Sequence, residues 1–163
     1  MTTQDRNFET ATRYHETMHR SGADGFKVVV ETGASSLRLL STINAGGLIA
    51  LLGFLGAVIG KEHKPFSDVT PFITPMTEFG LGLAASVVAV CAMYFAQFFY
   101  ARSHEKLRYD FVHPYAHQTE SSKRNRRAGI TFHVLTVLFA IASLTFFLCA
   151  SFGCLALLRA AKL

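Results

Sequence analysis

Asp, Glu, Lys and Arg are missing from the places where an ion-moving protein usually needs them. Three long runs, Leu39 to Ile59, Phe79 to Tyr100 and Gly129 to Leu158, contain no Asp, Glu, Lys or Arg. Proton relays and ion-coupled transporters keep an ionisable group on a pathway inside the membrane, so these runs weigh against both. Cysteine is scarce as well. Cys91, Cys149 and Cys154 all fall inside the runs, are odd in number and form no C-x-x-C pair. That argues against a disulfide framework and a thiolate metal site, and leaves three small apolar side chains. A Walker loop, a three-glycine G-x-G-x-x-G Rossmann pattern and a G-x-S-x-G elbow are also absent, so nucleotide-dependent and serine-hydrolase chemistry have no home. The expectation is a protein that is not an enzyme and carries no cofactor.

What is present is contiguous apolar sequence. Half the residues are hydrophobic and 17% are charged, the balance of a membrane protein once the runs are seen to be unbroken. Leu39 to Ile59 is 21 residues long, roughly 30 Å as a helix, the thickness of a bilayer's hydrocarbon core. The third run, 30 residues, would reach roughly 45 Å and must tilt or overrun the boundary. The predicted fold class is all-α: an integral membrane protein with three transmembrane helices and a cytoplasmic amphipathic N-terminal helix. The expected order is a tail over 1–38, spans over 39–59, 79–100 and 129–158, an extracytoplasmic loop over 60–78, a cytoplasmic basic loop over 101–128 and an extracytoplasmic end over 159–163. The tail has no apolar run, so the first span is expected to act as an uncleaved insertion signal.

Orientation follows from the cations. Twelve of the sixteen Lys and Arg residues fall in the tail and the second loop. The positive-inside rule places those two segments in the cytoplasm. The net charge of +5 is then accounted for by topology and by anionic lipid head groups, without nucleic acid as a partner. Within the tail, Arg6, Arg13 and Arg20 recur every seven residues beside a weak seam of Phe8, Ala11, His15 and Met18. Ser21 to Gly25 is expected to split it into two helical pieces, and Pro65, Pro71 and Pro75 to keep the first loop free of a long helix.

Two stripes of small side chains stand out at helical spacing. Gly46, Ala50, Gly53, Ala57 and Gly60 follow one another at steps of four, three, four and three; Gly82, Ala85, Ala89, Ala92 and Ala96 do so at three, four, three and four. Between helices in lipid, close backbone approach supplies much of the attraction, and small stripes mark where neighbours dock. The two stripes are expected to face each other, with a symmetry mate as the other option. Asn44, Gln97 and His133 are the notable polar side chains of the spans, while Asn44, Ser86, Thr136 and Ser143 together could line a pore between copies.

The sharpest chemical string is His15-Glu16-Thr17-Met18-His19. On a helix its histidines share a face, as in zinc metalloproteases, but no strand for aligning a peptide accompanies it and Arg13 and Arg20 flank it with positive charge. His113 and His117 form a second pair that could ligate a metal or a haem. Interfacial histidines more often bond to neighbouring loops, so no metal site is assigned. Lys123, Arg124, Arg126 and Arg127, the densest basic cluster, suit anionic lipid head groups at roughly 1 kcal/mol each.

The Thr42 to Gly47 opening of the first span, the aromatic end Tyr94 to Tyr100, His113-Pro114 in the basic loop and Phe132-His133 at the third span resemble a set of small three-span proteobacterial inner-membrane proteins, over Ser36 to Leu158. The resemblance implies the architecture and a bacterial inner-membrane location, with no activity attached. The expected function is non-catalytic assembly, by self-association into a homo-oligomer or as an accessory subunit of a larger membrane complex. The alternatives are a homo-oligomeric pore or membrane-perturbing effector, and a membrane-bound metal or haem protein.

Overall fold

A computed structural model describes residues 3–59, 69–109 and 116–160. Gly60 of the first small stripe and His113 of the histidine pair lie outside the described residues, as does the side chain of His19. Helix α1 runs over Thr3–Ile59, α2 over Ile73–Glu105 and α3 over Glu120–Ala160; between α2 and α3 lie two short strands, β1 over Leu107–Tyr109 and β2 over Ala116–Gln118.

The helices outrun the apolar runs. The expected break at Ser21 to Gly25 is not there, because α1 is one helix of 57 residues, ~85 Å long. Gly22 and Gly25 each cost about 1 kcal/mol in a helix interior, yet a chain already helical on both sides needs no second nucleus. Helix α2 begins six residues before Phe79, after a single 3-10 turn over Thr70–Phe72. Pro75 is no obstacle there: in the first turn of a helix the missing N–H has no intrahelical acceptor to lose. Helix α3 begins nine residues before Gly129, where Thr119 caps it. The Thr119 Oγ1 accepts from the Ser122 N–H at 3.1 Å and donates to the Lys106 carbonyl at 2.7 Å. Much of the expected basic loop is therefore helix.

Two compact units emerge from the contacts. One comprises Ser35–Cys91 and Leu135–Leu163. In it Ser41 of α1 meets Ser86 of α2, the Asn44 amide fills the space beside Gly82, and the Phe79 ring fills that beside Gly47. Residue numbers fall on one helix as they rise on the other, so the pair is antiparallel. Helix α3 returns antiparallel to α2, with Phe79 and Phe147 rings 5.9 Å apart and Pro75 against Gly153. Leu51, Leu55, Phe72, Phe79 and Ala150 form its buried centre. Phe72, 1% exposed, comes from the 3-10 turn and lies against Phe54 with ring centroids 6.0 Å apart.

The other unit comprises Met1–Ala34 and Ala92–Val134. Met93 closes over Gly33, and Tyr100 over Gly129. Phe132 stacks on Phe99 at 5.6 Å and tilts against Phe95 at 5.4 Å. At the foot of the connection the Ser103 Oγ donates to the Ser122 carbonyl and the Ser122 Oγ to the Ser103 carbonyl, both at 2.9 Å. That reciprocal clasp holds α2 and α3 side by side while β1 and β2 pair antiparallel, Arg108 opposite His117. On α1, Ala11 is fully buried.

Candidate functional site

The inward face of α1 is set by one amide. Asn44 is completely buried, and Leu37, Leu51, Leu55 and Val58 are buried with it. At about 100° per residue these positions fall within about 40° of Asn44 around the helix. Its Nδ2 donates to the Leu40 carbonyl at 2.9 Å and to the Ser143 Oγ at 3.1 Å. A turn away the Ser41 and Ser86 hydroxyls are 2.8 Å apart. Ser86 donates to the Leu83 carbonyl at 2.7 Å, and the single proton of Ser41 has two acceptors within reach, the Ser86 Oγ and the Leu37 carbonyl at 3.1 Å. Three helices thus meet at a polar node inside an apolar bundle, the kind of device that fixes register.

The Asn44 Oδ1 is buried and has no hydrogen-bond partner among the described residues. It lies where a Cβ on Gly82 would be. Only a Cα–H faces it there, a weak donor suited to helix contacts. Gly82 is therefore the one residue type that admits the Asn44 side chain at this crossing.

The same geometry corrects the expected pairing of the two stripes. Gly82, Ala85, Ala89, Ala92 and Ala96 are buried, whereas Gly46, Ala50, Gly53 and Ala57 are exposed. Nothing lies within 4 Å of a Cβ built on Gly46, Gly53 or Gly56. Gly53 is nine residues from Asn44, about 180° around the helix. Turning the amide inward turns the α1 stripe outward. An unpaired amide in lipid costs several kcal/mol, more than a few close backbone contacts return, so the polar residue decides the rotation.

The remaining positions spread apart. His15 is half-buried beside Tyr14, with ring centroids 6.2 Å apart, and Glu16 is exposed. His117 is exposed on β2, His133 is exposed on α3 and Gln97 is half-buried on α2. Among the described residues no three His, Cys, Asp or Glu side chains come together, and the three cysteines are free. Asn44, Ser86, Ser143 and Thr136, the set suited to lining a pore, are all buried within the single chain. Lys123, Arg124, Arg126 and Arg127 are exposed on the first turns of α3, and Lys123 pairs with Glu120 at 2.8 Å.

Three helices, over Val30–Val58, Thr70–Glu105 and Glu120–Ala160, are long and apolar enough to cross a membrane, which is the build of a multi-pass membrane protein. The chain matches no family model, no curated protein and no solved structure.

Proposed function

We propose that this is a non-catalytic protein of the bacterial inner membrane whose work is assembly, with copies of itself or as an accessory subunit of a larger membrane complex. The observation that carries the reading is a contrast between helices. The exposed face of α1 carries a row of small residues, Gly46, Ala50, Gly53 and Ala57, beside the bulkier Leu39, Ile49 and Leu52, while the exposed faces of α2 and α3 are led by bulky residues, Leu81, Val87, Val88 and Val90 on α2 and Val134, Leu138, Ile141, Leu144, Leu148 and Phe152 on α3. Bulky aliphatic faces suit lipid chains. A row of small residues between bulkier ones makes a groove that suits a second helix, whose backbone can come close enough for dispersion contacts. The basic tail and second connection belong on the cytoplasmic side by the positive-inside rule, which puts the N-terminus in the cytoplasm and the C-terminus outside. Asn44, Ser86 and Ser143, turned inward, lend nothing to the pore alternative.

Gly53→Leu tests the proposal cleanly, because the open space around Gly53 lets the single chain fold unchanged. Native mass spectrometry of the gently extracted protein should show an assembly in the wild type that the variant loses, with helix content intact. An unchanged mass in the variant, or a wild type that is already monomeric and alone, refutes the reading.

A further inference from the structure

The basic cluster at the start of α3 is placed against local electrostatics. Lys123, Arg124, Arg126 and Arg127 occupy the first two turns of a helix, the end whose macrodipole is positive and favours anions. Lys123 lies three residues from Arg126 and four from Arg127, and Arg124 lies three from Arg127; like charges at those spacings repel. Glu120 pairs with Lys123, and its carboxyl is held below the usual range by that pair first and to a lesser degree by the charge of Arg127; among the described residues no ion pair within 4.0 Å reaches Arg102, Arg124, Arg126 or Arg127. A second helix adds to the patch. Arg102 of α2 lies over the Phe98 ring, 5.0 Å from its centroid, at the end of α2 that the Ser103–Ser122 clasp holds to α3.

The height of these cations is marked by their neighbours. Gly129, two residues past Arg127, begins the uncharged run of α3, and Tyr100 packs on it. Tyr100, two residues before Arg102, and the exposed Tyr94 two turns from it are the amphipathic rings that belong at a membrane boundary, with Phe95 and Phe98 exposed between them. In a bilayer whose boundary falls at those tyrosines, arginines just beyond them reach the head-group phosphates. We infer that Arg102, Arg124, Arg126 and Arg127 form a binding collar for anionic phospholipid head groups in the leaflet at this end of the bundle. The ligand chemistry is a phosphate diester with net negative charge. A bilayer holds such groups at this height without a search, which favours lipid over nucleic acid. The inference is independent of the assembly reading, since none of its residues belongs to the α1 face.

The test uses the full chain in nanodiscs of mixed phosphatidylglycerol and phosphatidylcholine, followed by native mass spectrometry of the lipids that stay bound. Wild type should retain phosphatidylglycerol over phosphatidylcholine. Arg102→Gln should weaken retention about fivefold, and the triple change Arg124→Gln, Arg126→Gln, Arg127→Gln on the order of a hundredfold. A triple change of the same arginines to Lys keeps the charge and should keep the lipid, which separates binding from folding. Arg159→Gln at the other end of α3 should change nothing. Equal retention of the two lipids by wild type overturns the inference, as does a Gln triple variant that keeps its phosphatidylglycerol. Displacement of the lipid by inorganic phosphate assigns the collar to a free anion, and displacement by duplex DNA to nucleic acid; either also overturns it.

Discussion

Gly82→Ala should destabilise the helix bundle even though alanine is the better helix former. In an exposed helix the change would gain about 1 kcal/mol. Here the new methyl would occupy the place of the Asn44 Oδ1 and come within 2.8 Å of its Cγ. Either the helices part, or the amide rotates away and gives up its bond to Ser143. Overpacking costs about 1–3 kcal/mol, and an interhelical bond in a membrane about 0.5–2 kcal/mol. Where the helices part and the bond is lost as well, the helix gain leaves a net loss of about 0.5–4 kcal/mol. Reversible unfolding in mixed micelles, followed by far-ultraviolet circular dichroism, measures it. Gly53→Ala, with nothing within 4 Å of the added atom, is the matched control and should leave single-chain stability level or slightly raised. The decisive comparison is the double variant. Asn44→Ala removes the group that the new methyl would strike, so Gly82→Ala should cost nothing further in that background. A Gly82→Ala protein as stable as wild type, or costs that simply add, would refute the account of the crossing.

Two more outcomes follow from single hydrogen bonds. Ser143→Ala removes the interhelical acceptor of Asn44 while the Leu40 carbonyl remains; the same unfolding assay should register a loss of about 0.5–2 kcal/mol. Thr119→Val deletes both the cap of α3 and the bond to Lys106; it should cost about 1–2 kcal/mol locally and speed hydrogen exchange at the Ser122 amide, leaving exchange near Asn44 unchanged.

Three helices long and apolar enough to cross a membrane were legible because lipid demands long apolar runs, and the sequence has three. Their ends were not, because apolarity marks the membrane and not the helix. Residues Thr3 to Lys27 and Glu120 to Ala128 are largely polar and helical, and what ends or extends a helix there is a cap such as Thr119 or the absence of a competing turn. The polar node was half legible. Asn44 stands out in any reading of the first span, and Ser86 and Ser143 are visible beside it, but their convergence depends on three helices meeting at one level. The rotation of α1 could have been read from spacing alone: a strong hydrogen-bonding group and a small stripe nine residues apart cannot face the same neighbour. Likeness between the two stripes does not pair them, because the amide has the larger stake.

Ninety-nine residues separate Asn44 from the Ser143 hydroxyl that accepts its proton. At a synthesis rate of about 5–20 residues per second, that partner arrives about 5–20 s after the amide. Through that interval the first two helices can already be paired, with the carboxamide seated on Gly82 and only a backbone carbonyl of its own helix to bond. The nascent hairpin therefore carries a polar flag that the third helix takes down. A chain halted before α3 keeps the flag flying in the bilayer, where a second unfinished chain offering the same amide would be its most available match.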